Sequence, residues 1–463
     1  IVFGDWSSDV CSSDLTRSVL RSVRETTARW SPETLKMRLY DTLAGDNLPF
    51  VPRLPGRVGI YVCGPTVYDD AHLGHARSAV FFDVLRRFLE ARGFAVTLVR
   101  NYTDIDDKIL ARADTQGVRF EAVAARCIAA YEADMDKLNV RPPSHAPRAT
   151  DHIPAMQEMI GRLLQKGHAY RFQDRVYFRV DTFPAYGRLS RRSREKMPTL
   201  SRVEPDPGKS HPHDFLLWKP SRPGEPGWES PWGLGRPGWH IECSAMSRAL
   251  LGDRFDIHGG GADLMFPHHE NEIAQSQAVT GKNPARFWVH HGLVEMDGRK
   301  MSKSTGRLVT LRTLFEIHPP DAVRLFLLSR HYRHPLDYRP ERIAACAAAA
   351  ARLERSLLLA ERMIGHPNRA ARPSENAWAD FSAALSDDFN TPAAIAVLFR
   401  TVRRLNQGLN PARQEGFAAN DRHRIEGLRA AALKMTREVL GIGATDHADR
   451  KSTRLNSSHR IRS

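Results

Sequence analysis

Val58, Ile60 and Val62 alternate with intervening residues as on a half-buried strand, whereas Val80, Phe81, Val84, Leu85, Phe88 and Leu89 recur at helical spacing. The stretch between them, Tyr61 to His75, reads Tyr-Val-Cys-Gly-Pro-Thr-Val-Tyr-Asp-Asp-Ala-His-Leu-Gly-His and is the switch from strand to helix. In a parallel sheet, ligands collect at the carboxyl ends of strands and at helix N-termini, where unpaired N–H groups and the helix dipole favour phosphate. Cys63, His72 and His75 are therefore expected at the mouth of a nucleotide site. Ala95 to Val99 reads as a second strand, and Asn101 to Lys108 leads into a helix reaching about Leu138. Strand, helix, strand, helix is a parallel α/β pattern.

Residues 141–235 break this pattern. Thr150 and Asp151 can cap a helix carrying Ile153, Met156, Ile160, Leu163 and Leu164, which stops at Gly167. A hairpin-like Tyr170 to Val180 and a Pro/Gly-rich segment from Pro205 to Gly238 follow, so the region reads as an insertion within one nucleotide-binding fold. The α/β pattern resumes at Trp239 to Ser247, with Cys243 expected at a strand–helix junction. A strand is expected at Phe255 to His258, a loop at Gly259-Gly260-Gly261, a helix over Pro267 to Gln277 and a strand at Phe287 to His291. Beyond the Asp297-Gly298 turn come Lys300-Met301-Ser302-Lys303-Ser304 and Gly306. From Pro340 the chain turns helical, and Asn390-Thr391-Pro392 is a helix start with a capping side chain and an early proline.

A length of 463 residues implies about two to four domains. The 41% hydrophobic and 26% charged composition is that of a water-soluble chain, and no apolar run is long enough to cross a bilayer. A cytoplasmic protein without a membrane partner is expected. Both ends look foreign to the fold. Asp5 to Ser13 back-translates to a DNA segment whose reverse complement, in another frame, encodes Lys451 to Ser458, which resembles a retained sequencing adapter. Residues 1–15 and 451–463 are accordingly left out of fold reasoning, Cys11 is given no role, and a shortened C-terminus is expected. The net charge of +15 survives that exclusion almost unchanged and suits a polyanionic partner. Cys63, Cys127, Cys243 and Cys346 are too few and too scattered for a disulfide framework.

His268 and Glu272 lie four apart on the expected helix and share a face; His269 with Glu272, at spacing three, is a competitor. With Cys63 and Cys243 such a pair would suit zinc, although with 180 residues between the two cysteines spacing alone favours buried thiols over ligands. His72-Leu73-Gly74-His75 at a helix start, with Lys300-Met301-Ser302-Lys303-Ser304 on a loop 225 residues later, suits nucleotidyl transfer, because imidazoles and ammonium groups can stabilise charge developing on ATP phosphates. Gly74 would admit adenine close to the backbone. Asp104, Asp106 and Asp107 read as a helix start and polar network rather than a metal cluster.

These paired motifs resemble those of the class I aminoacyl-tRNA synthetases, and the words around them resemble the cysteinyl-tRNA synthetases. The match is carried by Tyr61 to His75, Asn101 to Lys108, Trp239 to Ser247, His258 to Glu272, Lys300 to Gly306 and Asp387 to Pro392, and covers roughly residues 36–448. The resemblance implies a Rossmann-like parallel-sheet catalytic domain in two halves, residues 36–140 and 236–339, split by the 141–235 insertion. It implies a helical domain over residues 340–448 that binds the stem and anticodon of tRNA(Cys). It also implies one zinc held by Cys63, Cys243, His268 and Glu272 that binds the thiolate of L-cysteine, and an amino-acid pocket using Gly64, Thr103, Trp239 and Asp263. ATP, with Mg2+, is implied to meet His72, Gly74, His75 and Gly259 to Gly261, and Lys300 and Lys303 to steady the pyrophosphate. The implied activity is ATP-dependent ligation of cysteine to tRNA by a monomer. The alternatives are a cysteine:aminosugar ligase resembling the same family and a zinc-dependent RNA-binding protein without catalysis. Family members continue into a small terminal module, so the chain as written is expected to form the adenylate but to charge tRNA poorly.

Overall fold

The computed structural model describes residues 36–192, 206–301, 308–366, 371–410 and 419–443. A hairpin of β1 (Arg38–Asp41) and β2 (Asp46–Pro49) leads to β3 (Arg57–Val62), α1 (Leu73–Ala91) and β4 (Ala95–Arg100). Helices α2 (Asp107–Gln116) and α3 (Phe120–Lys137) follow. The insertion carries α4 (Ile153–Gln165) and the strands β5 (Ala169–Phe172), β6 (Arg175–Phe178), β7 (Phe215–Pro220) and β8 (Gly235–Pro237), which form an antiparallel sheet in that order. After it come α5 (Trp239–Leu251), β9 (Phe255–Gly261), α6 (Glu270–Thr280) and β10 (Ala285–His291). Strands β9 and β10 rejoin β3 and β4 in one parallel sheet of order β10-β9-β3-β4. The chain therefore leaves the sheet after β4, builds a separate one, and returns on the other side of β3.

A small sheet of β11 (Val294–Met296), β12 (Arg299–Lys300) and β13 (Leu336–Asp337) brackets α7 (Leu311–Ile317) and α8 (Pro320–Leu328). The remaining elements of the described residues are helices: α9 (Pro340–Ile364), α10 (Glu375–Ser386), α11 (Thr391–Gly408), α12 (Ala419–Leu433) and a π-helical turn at Lys434–Leu440. Asn390 caps α11 through Ala393 N at 3.1 Å, with Pro392 in the first turn. Among the described residues no helix is long and apolar enough to cross a membrane.

Strand alternation divides the interior in two. Val58, Ile60 and Val62 enter a core with α1, α3, α8 and the C-terminal helices, whereas Tyr61, Cys63 and Val99 enter one with α4, α5, α6 and the insertion strands. The first core encloses a charged knot. Asp83 of α1 accepts from Arg87 Nε at 2.8 Å and from Arg324 Nη2 of α8 at 2.5 Å, and Arg324 also donates to the carbonyls of Leu138 and Leu440. Arg324 thereby ties α1 and the end of α3 to the C-terminal helices.

Several local expectations differ from the structure. The helix expected to run to Leu138 is two, because Gly117 turns left-handed at φ 62° and ends α2. Thr150 does not cap α4; its hydroxyl donates to Asp104 at 2.6 Å, and a short 3-10 turn at Ala149–His152 precedes the helix. The three glycines after His258 are not a loop but the last residues of β9. Side-chain-free positions permit the close approach there: a Cβ on Gly259 would lie 2.0 Å from Phe82 of α1. Cys243 sits inside α5 rather than at a strand end. Regular helix begins at Glu270 rather than Pro267, following a cis Phe266–Pro267 bond and a π turn.

Candidate active site and metal cluster

At the carboxyl ends of β3, β4 and β9 lies a cavity of about 240 Å³. Cys63, Gly64, His72, Gly74, His75, Trp239, Gly261 and Asp263 line it, together with Thr66, Ser78, Arg100, Tyr131, His291 and Met301. Eight residues named from the sequence thus share one wall system. Thr103, Cys243, His268 and Glu272 lie outside that lining, as do Gly259 and Gly260. Lys300 ends β12, and Lys303 falls outside the described residues.

The α1 N-terminus is closed on itself. His72 is the N-cap and its Nδ1 accepts from Gly74 N at 3.1 Å, while His72 N donates to His75 Nδ1 at 3.4 Å. Leu73 N donates to Val309 O. The amides expected to stand open for phosphate are therefore taken up by the two imidazoles and by the chain after β12. The rings stack at 3.8 Å between centroids. Burial, then His72, holds the His75 imidazole well below its usual range, so it is a neutral hydrogen-bonding group.

Behind the cavity lies a buried cluster. One donor atom from each of Cys63, Cys243, His268 and Glu272 falls within 4.8 Å of the others. Glu272 Oε1 is 3.3 Å from Cys63 Sγ and 3.2 Å from His268 Nε2. A second set, Cys63, His258, His269 and Glu272, meets the same distance condition. It shares Cys63 and Glu272 but brings one sulfur instead of two, and its histidines continue into a longer buried chain of contacts. His258 Nε2 is 2.8 Å from Glu272 Oε2, and His269 Nδ1 is 2.7 Å from His290 Nε2, which in turn reaches Thr42 through Nδ1. Two thiols, an imidazole and a carboxylate fit a tetrahedral soft-ligand metal site better than the one-sulfur set.

Burial, with Cys243 and Glu272 beside it, pushes the Cys63 thiol well up. At Cys243 the hydrogen bond with Cys63 pulls down, but burial and Glu272 raise the thiol by more. Burial opposes the charged form of Glu272, yet His258 and His268 hold its carboxyl below the usual range. Burial takes His268 down to about 3, which leaves a neutral imidazole able to act as a ligand. Its other nitrogen, Nδ1, is 2.9 Å from His240 Nδ1, and the Trp239 indole stacks on its ring at 4.2 Å. Trp239 is thus both cavity wall and cover for a cluster member.

Thr103 is buried and donates through Oγ1 to Glu242 at 2.8 Å, and burial pushes the Glu242 carboxyl well up. Asn101 links this pair to the thiols. Its Oδ1 accepts from Gly64 N at 2.9 Å and from Cys243 Sγ at 3.7 Å. Asp104 accepts from the amide and hydroxyl of Thr150, Asp106 caps α2 through Lys108 N, and Asp107 meets Lys219 and Arg236 of the insertion, so the three aspartates of that stretch form a polar network, a helix start and ionic contacts. Sequence reasoning did not single out Arg100, whose guanidinium lies 5.5 Å over the Tyr131 ring, or His240, His258, His290 and His291 as site neighbours. The signal available was the clustering of histidines in His258, His268-His269 and His290-His291.

Residues 49–348 match the family model described as tRNA synthetases class I (C) catalytic domain, and residues 380–445 match the DALR domain. The chain is 47% identical to a cysteine–tRNA ligase of Trichlorobacter lovleyi, covering 88% of this chain and 85% of the relative. It is 50% identical to one of Legionella pneumophila, covering 81% and 82%. A solved methionyl-tRNA synthetase of Mycobacterium tuberculosis with methionyl-adenylate superposes with a TM-score of 0.60 at 18% identity, over 83% of this chain and 91% of that one, a likeness of fold. The chain belongs to the class I tRNA synthetases, in the family of its cysteine–tRNA ligase relatives.

Proposed function

We infer that the chain joins L-cysteine to tRNA(Cys) at the expense of ATP: the cysteine carboxylate attacks the α-phosphorus, pyrophosphate leaves, and the terminal adenosine hydroxyl of the tRNA takes the cysteinyl group. One observation carries this reading. Cys63 is at once a member of the buried thiol, imidazole and carboxylate cluster and part of the cavity wall that bears His72 and His75. A centre that selects a thiol and a site that activates a carboxylate therefore meet at one residue.

The site residues take these roles in the reading. Cys63, Cys243, His268 and Glu272 hold zinc, which when bound supplies a soft Lewis acid suited to the substrate's sulfur. Trp239 closes the cluster on the cavity side, Gly64 and Asp263 border the amino acid, and Thr103 supports that pocket from behind through Glu242. His72 and His75 meet the ATP phosphates, His75 as a neutral donor, Gly74 and Gly261 leave room for the nucleoside, and Lys300 and Lys303 steady the pyrophosphate. Gly259 and Gly260 shape β9, with Gly259 making room for Phe82. ATP enters with Mg2+, the helices from Pro340 lie along the tRNA, and the enzyme works as a cytoplasmic monomer.

The test is ATP–pyrophosphate exchange with cysteine, serine and alanine, together with tRNA charging and metal analysis. The expected result is exchange with cysteine alone, transfer to tRNA rather than to an aminosugar, and one zinc per chain. Cys63→Ala and Glu272→Gln are expected to lose zinc and to weaken cysteine binding. Zinc retained in full with unchanged cysteine affinity would overturn the site assignment.

A further inference from the structure

Tyr61 and Cys63 are two apart at the end of β3 and leave the sheet on the same face. Tyr61 is 0% exposed and its partner across β9 is His258, whose ring centroid lies 5.3 Å away. Among the described residues the hydroxyl oxygen is fully enclosed and makes no well-aligned hydrogen bond. The Cys243 thiol is its side-chain contact and, after burial, bears on it most strongly, followed by Cys63 and Glu272. An enclosed hydroxyl without a well-aligned hydrogen bond is a standing cost to the fold, and phenylalanine would fill the same space without it. Its position beside two sulfurs gives it a use. A protonated thiol is a weak acceptor, whereas a thiolate is a strong one.

We propose that Tyr61 is a positioning residue of the metal centre: its hydroxyl donates a hydrogen bond to Cys243 Sγ once that sulfur is a metal-bound thiolate, fixing its orientation and limiting the charge it gives the metal. Metal binding sends the Cys243 thiol proton to solvent, while the tyrosine keeps its own proton throughout. Asn101, the other polar group near Cys243, presents its amide oxygen to that sulfur and already accepts from Gly64 N. The phenol is therefore an enclosed donor, in contact with Cys243 but without a well-aligned acceptor, on the sheet side of the cluster. This inference rests on the metal reading of Cys63, Cys243, His268 and Glu272 given above.

The experiment uses the full chain, stripped by chelator and reloaded with cobalt(II), as wild type and as Tyr61→Phe. Tyr177→Phe serves as the control, because that buried phenol bonds Asp206 within the insertion, away from the cluster. The wild type is expected to bind one cobalt per chain with a sulfur-to-metal charge-transfer band. In Tyr61→Phe the band moves to lower energy, because an unbonded thiolate gives up its electron more readily. Loss of metal to a chromophoric chelator is also expected to be about tenfold faster. Tyr177→Phe changes neither. Melting of both forms separates this role from packing. Tyr61→Phe is expected to melt at or above the wild type when stripped and below it when loaded. Lower melting in both forms, or a band and release rate that superpose on the wild type, would overturn the role of Tyr61 and leave the metal reading standing. A wild type that shows no sulfur-to-cobalt band would overturn both.

Discussion

Asp83→Asn removes a carboxylate shared by Arg87 and Arg324 in the interior between α1, α3, α8 and the C-terminal helices. Burial pushes the Asp83 carboxyl up, but Arg87 and Arg324 outweigh it and bring the group from 3.8 to about 2. A difference of that size, in a side chain only 2% exposed, corresponds to about 2–3 kcal/mol of stability carried by the ionised form. Asparagine keeps an oxygen for Arg141 N, which now donates to Asp83 Oδ1 at 3.0 Å. It leaves the Arg324 guanidinium, 0% exposed, without its counter-charge, and breaking such a pair from one side costs about 3–5 kcal/mol.

The expected outcome is a fall in thermal midpoint on the order of 5 °C at neutral pH. Faster amide exchange is expected in the turn at Lys434–Leu440, because Arg324 Nε donates to Leu440 O at 2.6 Å. Asp83→Asn combined with Arg324→Met should recover part of the loss, since no buried cation at that position is then left unpaired. The pH dependence follows from the sign of the shift. The folded-state value lies below the unfolded one, so the stabilisation is complete above about pH 4 and is lost as pH falls toward about 2. The variant should therefore lack that part of the acid dependence. A neutral-pH midpoint within about 1 °C of the wild type, with an unchanged acid limb, would refute the reasoning.

Gly259→Ala sets a Cβ 2.0 Å from Phe82 Cζ in a close-packed core, so a loss of about 1–3 kcal/mol or more is expected in denaturant unfolding. The double variant with Phe82→Leu should regain part of it. Asp388→Ala withdraws the acceptor for Tyr40 N, Tyr332 OH and Arg333 Nε at a position with φ 49°, so thermal unfolding should show a loss of about 2–3 kcal/mol. Asp107→Asn weakens the surface ion pairs with Lys219 and Arg236 where the insertion meets α2. Because Asp107 is 67% exposed, global stability should move by less than about 1 kcal/mol.

The sequence by itself carried the parallel α/β class, the break between β4 and β9, the helical C-terminal region from Pro340 and the capped start of α11. These follow from local periodicity and capping, which depend on neighbours in the chain. It also carried part of the cavity wall, since His72, Gly74 and His75 occupy one turn and Cys63 directly follows the strand before it. The tertiary structure decided what needs distant partners. Gly259 to Gly261 read as a loop because glycines disfavour strands, but Phe82 of α1 occupies the space a Cβ would fill, and pairing with β10 extends β9 through them. Cys243 became a cluster member through the placement of α5 against β3, which no spacing over 180 residues can fix. The amides at the start of α1 read as open because helix ends leave them so; only the fold shows His72, His75 and Val309 satisfying them. Likewise, that Tyr61 lies enclosed beside two sulfurs without a well-aligned hydrogen bond among the described residues is a fact about the packed interior, where the lack of water makes an unmet hydroxyl informative.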